Sequence, residues 1–252
     1  MTVLITGASF GIGEVLAHKF AKEGHDLILS ARTEDKLESL KQELSTKFGI
    51  QVSYIALDLS KEEDLQKLVS FSEDKEVEIL VNNAGFGDQG YIDECEPEKQ
   101  MKMIDLNVKA LTFLSQAFIK SFKVKKVRGK ILNVASVAAF CPGPMMSTYY
   151  ATKAYVLSFS RAIAAEAAEF GIQVSTLCPG PTHSEFGKRA GVDNSLAFKM
   201  AMSSQTVADI CYRELMSGRG TIITGLRNRL LVWLMRITPN FLLMPLNKSL
   251  FK

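Results

Sequence analysis

The chain has 252 residues, 47% hydrophobic and 23% charged, the balance of one folded α/β domain and not of a disordered or low-complexity chain. Its four cysteines (Cys95, Cys141, Cys178, Cys211) are far apart with no CxxC pair, which argues against a disulfide framework. Its three histidines form no ligand cluster, so no metal is expected; with a formal net charge of only +3, no nucleic-acid partner is expected either.

The elements alternate along the chain. VLIT (3–6) reads as a buried strand leading into a glycine loop, and residues 12–23 as an amphipathic helix. DLILSA (26–31) is a second strand, and Thr33 stands as N-cap of a charged helix reaching about Phe48. VSYIAL (52–57) is a third strand, followed by a capping box at Ser60-Lys61-Glu62-Glu63. EILVNNAG (78–85) is a fourth strand ending in a turn. Over 98–123, Ile104, Val108, Leu111, Ser115, Phe118 and Phe122 recur at helical spacing, predicting one long helix with a continuous stripe. KILNVAS (130–136), a helix over 149–170, IQVSTLCPG (172–180) and a short last strand TIIT (221–224) complete the pattern. Such alternation predicts a doubly wound parallel sheet of about seven strands, with helices on both faces, over residues 1–225. The irregular stretch 181–204 reads as a lid. The first strand leaves no room for a leader before it, and no apolar run reaches about 18–20 residues, the length of a membrane span.

The loop Thr6-Gly7-Ala8-Ser9-Phe10-Gly11-Ile12-Gly13 has GxxxGxG spacing between a buried strand and a helix. Glycines there allow a tight turn and a close approach of a pyrophosphate, which the N–H groups at the helix start receive. Together with NNAG (82–85), Ser136 and YYATK (149–153), this loop makes the chain resemble the short-chain dehydrogenase/reductase family, in order over residues 2–225.

The resemblance implies a nicotinamide dinucleotide held by Gly7, Ser9, Phe10, Gly11, Ile12 and Gly13, then by Asp58, Leu59, Asn83, Ala84 and Gly85. Asp58 is expected on the adenine amino group, and Asn82 as a brace of the sheet. Beyond the sixth strand, Pro179, Gly180, Thr182 and Ser184 are expected beside the nicotinamide. The second strand ends Leu29-Ser30-Ala31-Arg32 with no acid for a ribose 2′-hydroxyl. Arg32 at that place suits a 2′-phosphate, with Ser9 and Thr33 as hydroxyl donors, so NADP(H) is the expected cofactor. Glu34 and Asp35, just after, are the objection to it.

Tyr149 and Lys153 stand four apart on a helix and share a face, whereas Tyr150 points about 100° away. An ammonium beside a phenol favours the phenolate, so Lys153 is expected to lower the Tyr149 pKa toward neutral. The resemblance gives Lys153 the nicotinamide ribose as well. Ser136, at a strand end, is placed to hydrogen-bond a carbonyl oxygen as charge develops. Asn107 is out of character in an apolar helix; by resemblance it kinks that helix and holds a water linking Lys153 to solvent. The expected activity is reduction of a moderately hydrophobic ketone or keto ester, or the reverse. A non-catalytic NADP(H)-binding regulator and a lyase or epimerase on the same fold are the alternatives. The resemblance implies a pocket walled by residues after Gly85, after Ser136 and within 181–204, which include Phe86, Tyr91, Phe140, Cys141, Met145, Met146, Phe186, Phe198, Met200 and Met202, with Lys188 and Arg189 in reach of an anionic group.

After Glu214 there is no acid, but six cations: Arg219, Arg227, Arg229, Arg236, Lys248 and Lys252. Within residues 226–252, Leu226, Leu230, Trp233 and Ile237 repeat at helical spacing until Pro239. Three readings stay open for this tail: packing on its own or a neighbouring subunit, resting on an anionic membrane, or closing the pocket. The expected setting is cytoplasmic, as a homodimer or homotetramer, with the 104–122 stripe a candidate interface and a peripheral membrane contact through the tail.

Overall fold

The computed structural model describes residues 1–192 and 201–250. Strand β1 (Thr2–Thr6) feeds helix α1 (Gly11–Lys22), and β2 (Asp26–Ala31) feeds α2 (Glu34–Phe48). β3 (Val52–Ala56), α3 (Glu62–Ser72) and β4 (Val77–Asn82) follow. Helix α4 (Pro97–Ile104) runs through a π-helical turn (Asp105–Ala110) into α5 (Leu111–Lys125). Then come β5 (Lys130–Val134), α6 (Ser147–Ala168), β6 (Gln173–Cys178) and β7 (Thr182–His183). α7 (Glu185–Ala190), β8 (Met202–Ser203), α8 (Ser204–Met216), β9 (Thr221–Ile223), α9 (Leu226–Ile237) and α10 (Asn240–Leu250) complete the chain.

Seven parallel strands pair in the order β3-β2-β1-β4-β5-β6-β9. Strand order reverses between β1 and β4, and in doubly wound sheets the ligand crevice opens at that switch, beyond the carboxyl ends of the strands. Side-chain alternation along each strand builds the two layers. Val3, Ile5, Leu27, Leu29, Ile79 and Val81 face α1, α2 and α8. Leu4, Ile28, Leu80, Ile131 and Val174 face α3, α5 and α6. Strands buried on both faces need continuous apolar runs, which is why VLIT and LIL carry no outward polar position.

Several local expectations are corrected. Ser60 does not form a capping box: its hydroxyl donates to Asp58 Oδ1 at 2.8 Å, and α3 starts after Lys61 without a side-chain cap. Thr33 is the N-cap residue of α2, but its side chain makes no cap bond. The 104–122 stripe is not a free interface, because Leu111, Ser115, Phe118 and Phe122 are buried within the chain itself. Helix α8 carries no distinct signal in the sequence; it is capped by Ser203, whose hydroxyl accepts from Thr206 N at 3.1 Å, and packs on α1.

The tail is two helices docked on the rest of the chain. Val232 and Leu243 are buried, and Asn247 Nδ2 donates to Pro142 O at 2.9 Å. Among the described residues, no helix is long and apolar enough to cross a membrane.

Candidate active site

A cavity of about 560 Å3 lies at the carboxyl ends of the strands. Gly7, Ser9, Phe10, Gly11 and Ile12 line it, with Arg32, Thr33, Asp58 and Leu59 from β2 and β3 and Asn83, Ala84 and Gly85 from the turn after β4. Ser136, Tyr149, Lys153, Pro179, Gly180, Thr182 and Ser184 line it too. Two expected site residues, Gly13 and Asn107, stand behind the wall.

Gly13 acts through packing. A Cβ there would fall 2.3 Å from Gly7 O and 2.4 Å from Asn83 Nδ2. Asn83 Nδ2 donates to Thr6 O at 3.0 Å and Gly7 O at 3.1 Å, so α1, the glycine loop and the β4 turn meet with no spare volume. Thr6 Oγ1 fastens the same junction by accepting from Asn83 N and Ala84 N at 3.0 and 3.1 Å. Phe10, the N-cap residue of α1, gives no side-chain cap, so the first N–H groups of the helix remain for an anion at the cavity wall. An uncapped helix start, a loop that admits no larger side chain and Arg32 in one crevice fit a dinucleotide phosphate.

The other end of the cavity, with Ser136, Tyr149 and Lys153, is built from α6 and the turn after β5. Tyr149 is buried, with the Ser136 hydroxyl beside its phenol. Ser136 Oγ also accepts from Ala138 N at 3.1 Å, which caps the 3-10 turn Val137–Phe140 and fixes the hydroxyl at the strand end. Lys153, one turn after Tyr149, donates to Val134 O at 2.8 Å, and its ammonium lies 5.8 Å from the Tyr149 ring centroid. The expected lowering of the Tyr149 pKa is corrected. Burial pushes the phenol up to about 12, against a smaller downward pull from Ser136. Burial likewise pulls Lys153 down from 10.5 to about 8. The interior disfavours both charges more than the pair favours them. Tyr150 also lines the cavity and covers Gly143, where a Cβ would meet its ring at 2.3 Å.

Asn107 sits in the π-helical turn, so the helix is disrupted where its character changes. Its amide is fully engaged: Nδ2 donates to Phe86 O at 2.9 Å and to the Thr152 hydroxyl at 3.1 Å, and Oδ1 accepts from Phe86 N at 3.1 Å. It thereby sets the Gly85-Phe86 segment facing Lys153; a Cβ on Gly85 would lie 2.8 Å from Asn107 Oδ1 and 3.6 Å from Lys153 Nζ. Asp58 Oδ1 is engaged by Ser60 N and Oγ at 3.2 and 2.8 Å.

Ser115, Asn133 and Ser160, which no motif marks, hold this frame together with Asn82. Asn82 Nδ2 donates to Ser115 Oγ at 3.1 Å and Asn133 Oδ1 at 2.9 Å, and Asn133 Nδ2 donates to Ser160 Oγ at 2.9 Å. The expected brace at Asn82 is thus part of a polar tie that pins α5 and α6 to the sheet. Asn133 inside the apolar strand KILNV was the available signal.

Of the expected pocket residues, Phe86, Met146 and Phe186 line the cavity. Phe198 and Met200 lie outside the described residues, as does the Lys188 side chain. Tyr91, Phe140, Cys141, Met145 and Met202 do not line it; their places are taken by Leu231, Leu234, Met235, Leu242, Leu243 and Leu246 of the tail. The described part of the 181–204 segment lines the crevice: Phe186 lies 5.4 Å from the Tyr149 ring, and the Arg189 guanidinium 4.1 Å from the Phe10 ring. Arg189 therefore stands at the glycine loop, not at the apolar end.

The family model for short chain dehydrogenases matches residues 1–194. The chain belongs to the short-chain dehydrogenase/reductase family. Members of this family are oxidoreductases of the CH–OH/C=O type, and the seven-stranded parallel sheet is their fold. Hydroxysteroid dehydrogenase-like protein 1 of Gallus gallus is 34% identical over 70% of this chain, and the match spans 54% of that relative, about half its length. A short-chain dehydrogenase from Sphingobium yanoikuyae, solved in complex with NADPH, is 33% identical with a TM-score of 0.84, covering 94% of this chain and 96% of that one. A bulky-bulky ketone specific alcohol dehydrogenase from Comamonas testosteroni is 29% identical with a TM-score of 0.80, covering 94% of each chain.

Proposed function

We propose that this family member reduces a moderately hydrophobic ketone or keto ester with NADPH, or runs the reverse oxidation, with Tyr149 as the acid. One observation carries the reading: a single cavity has Arg32 and Thr33 at one end and Ser136, Tyr149 and Lys153 at the other. Bound nicotinamide supplies or accepts the hydride. The protein's own residues do the rest. Ser136 hydrogen-bonds the carbonyl oxygen and holds it against the phenol. Tyr149, kept protonated by burial, gives its proton to that oxygen as negative charge develops. Lys153, carrying its charge below about pH 8, stabilises the phenolate left behind and binds ribose hydroxyls. Asn107 acts as a positioning residue through Phe86, with the water-held relay to Lys153 as its further expected role.

Arg32 and the absence of an acid at the end of β2 support a 2′-phosphate, and the NADPH bound by the Sphingobium relative supports the same choice. The ketone specificity of the Comamonas relative and the apolar walls from Phe86, Met146, Phe186 and the tail support a hydrophobic carbonyl. A cytoplasmic setting, self-association and a peripheral membrane contact of residues 226–252 complete the reading. The test is turnover of a ketone panel with NADPH against NADH, beside Tyr149→Phe. NADPH-preferring turnover that falls about 100- to 10,000-fold in Tyr149→Phe, with NADPH binding retained, is expected. A preference for NADH overturns the cofactor assignment, and near-normal turnover of the variant overturns the role of Tyr149.

A further inference from the structure

Helices α9 and α10 present an apolar surface that the other described residues do not cover. Ten of their large apolar side chains are exposed, against eight in all the other described residues. Leu226, Trp233 and Phe241 are 80%, 57% and 70% exposed. A patch of this density on a folded chain marks an interaction surface.

Charge selects the occupant. Exposed Arg227, Arg229 and Arg236 stand among these side chains, and residues 215–252 contain no acid. A second copy docking the same patch against itself would bring these cations face to face with no carboxylate between them. An anionic lipid surface satisfies both halves, taking the apolar side chains into the acyl boundary and the guanidinium groups at the phosphates. Length agrees. Helices of 12 and 11 residues rise about 18 and 16 Å, too short for a core of about 30 Å but suited to lying in its surface.

The same side chains also wall the cavity. Leu231, Leu234, Leu242 and Leu246 line it and are exposed at once, so its apolar end meets the outer face of the tail. We propose that α9 and α10 lie in the surface of an anionic bilayer and that the cavity draws a long-chain, lipid-dissolved carbonyl substrate from the leaflet past Leu231, Leu234, Leu242 and Leu246. The substrate's apolar chain stays among the tail leucines while its carbonyl reaches Ser136 and Tyr149. This rests on the carbonyl-reductase reading, and failure of that reading shows separately as loss of turnover on water-soluble ketones.

Trp233 is the sole tryptophan of the chain, so its emission reports on α9 alone. The full-length protein is titrated with phosphatidylcholine vesicles with and without phosphatidylglycerol, some carrying brominated acyl chains. The expected result is a blue shift and bromine quenching of Trp233 with anionic vesicles, weakened by salt. Leu230→Glu/Phe241→Glu, at two exposed positions outside the cavity wall, is expected to weaken vesicle binding at least about tenfold. It should lower turnover of a vesicle-dissolved long-chain ketone by a similar factor, while a short soluble ketone is reduced as before. Three results overturn the proposal: no shift with anionic vesicles; a blue emission that depends on protein concentration without lipid, which means a second copy covers the face; or binding with equal turnover of the vesicle-borne ketone by both proteins.

Discussion

Replacing Lys153 by methionine should stabilise the fold while removing its activity. Burial lowers the lysine from 10.5 to about 8, so the native state binds its proton less tightly than the unfolded chain does. At about 1.4 kcal/mol per pH unit, holding the charged ammonium in the interior costs about 3 kcal/mol below pH 8. Methionine is of similar length and carries no such cost. It leaves Val134 O without the donor now at 2.8 Å, a loss of about 1 kcal/mol. The net expectation is a gain of about 2 kcal/mol at pH 7. The sign then reverses with pH. Between about 8 and 10.5 the unfolded wild type binds more protons than the native state, so wild-type stability rises through that window relative to the variant. Above it lysine is neutral in both states, and the variant should be the less stable by about 1 kcal/mol. Urea unfolding of both proteins at pH 7 and pH 10.5, without nucleotide so that binding does not add to the wild type, measures the difference. A variant equally destabilised at both values would refute the claim that desolvation dominates at this lysine.

Arg32→Ala should raise KM for NADPH about 10- to 100-fold and leave NADH turnover nearly unchanged, the value of charge-assisted hydrogen bonds to a phosphate; equal effects on both nucleotides would count against the 2′-phosphate role. Gly13→Ala places a Cβ 2.3 Å from Gly7 O, a backbone atom that cannot swing aside, so nucleotide binding followed by NADPH fluorescence should be lost, with a lowered Tm. Asn133→Ala strips partners from Asn82 Nδ2 and Ser160 Oγ and should cost about 2–4 kcal/mol in urea unfolding. If the tie serves α6 placement, kcat in that variant should fall more than NADPH affinity does.

The parallel sheet was legible because each buried strand announces itself as an apolar run between turn residues, and all seven appear where the pattern puts them. The cavity was legible at its polar end for a related reason. Glycine spacing and the i, i+4 pair Tyr149–Lys153 are constraints of backbone and helix geometry, visible in one dimension. Helix boundaries written in capping chemistry were less so: Ser60 has the spacing of a capping box, yet Asp58 two residues earlier captures its hydroxyl. The electrostatics of the active pair were misjudged for a different reason. Spacing tells that an ammonium neighbours a phenol, but whether attraction or desolvation wins depends on what else surrounds them, and here both are buried at the cavity wall.

The tail shows where periodicity stops informing. Leu226, Leu230, Trp233 and Ile237 predict a helix and its apolar stripe, and the rule that such stripes face a core then predicts their burial. All four are exposed, while Val232, off that stripe, is buried. The rule assumes that water is the only alternative to protein. A sequence in which cations persist among the apolar residues, and acids vanish for 38 residues, would suit the pair of surroundings proposed above: protein on one side, an anionic and apolar medium on the other. On that argument the three readings open for the tail are not rivals. Val232 and Leu243 dock it, Leu231, Leu234, Leu242 and Leu246 line the cavity, and Leu226, Trp233 and Phe241 stay exposed on the face proposed for the bilayer.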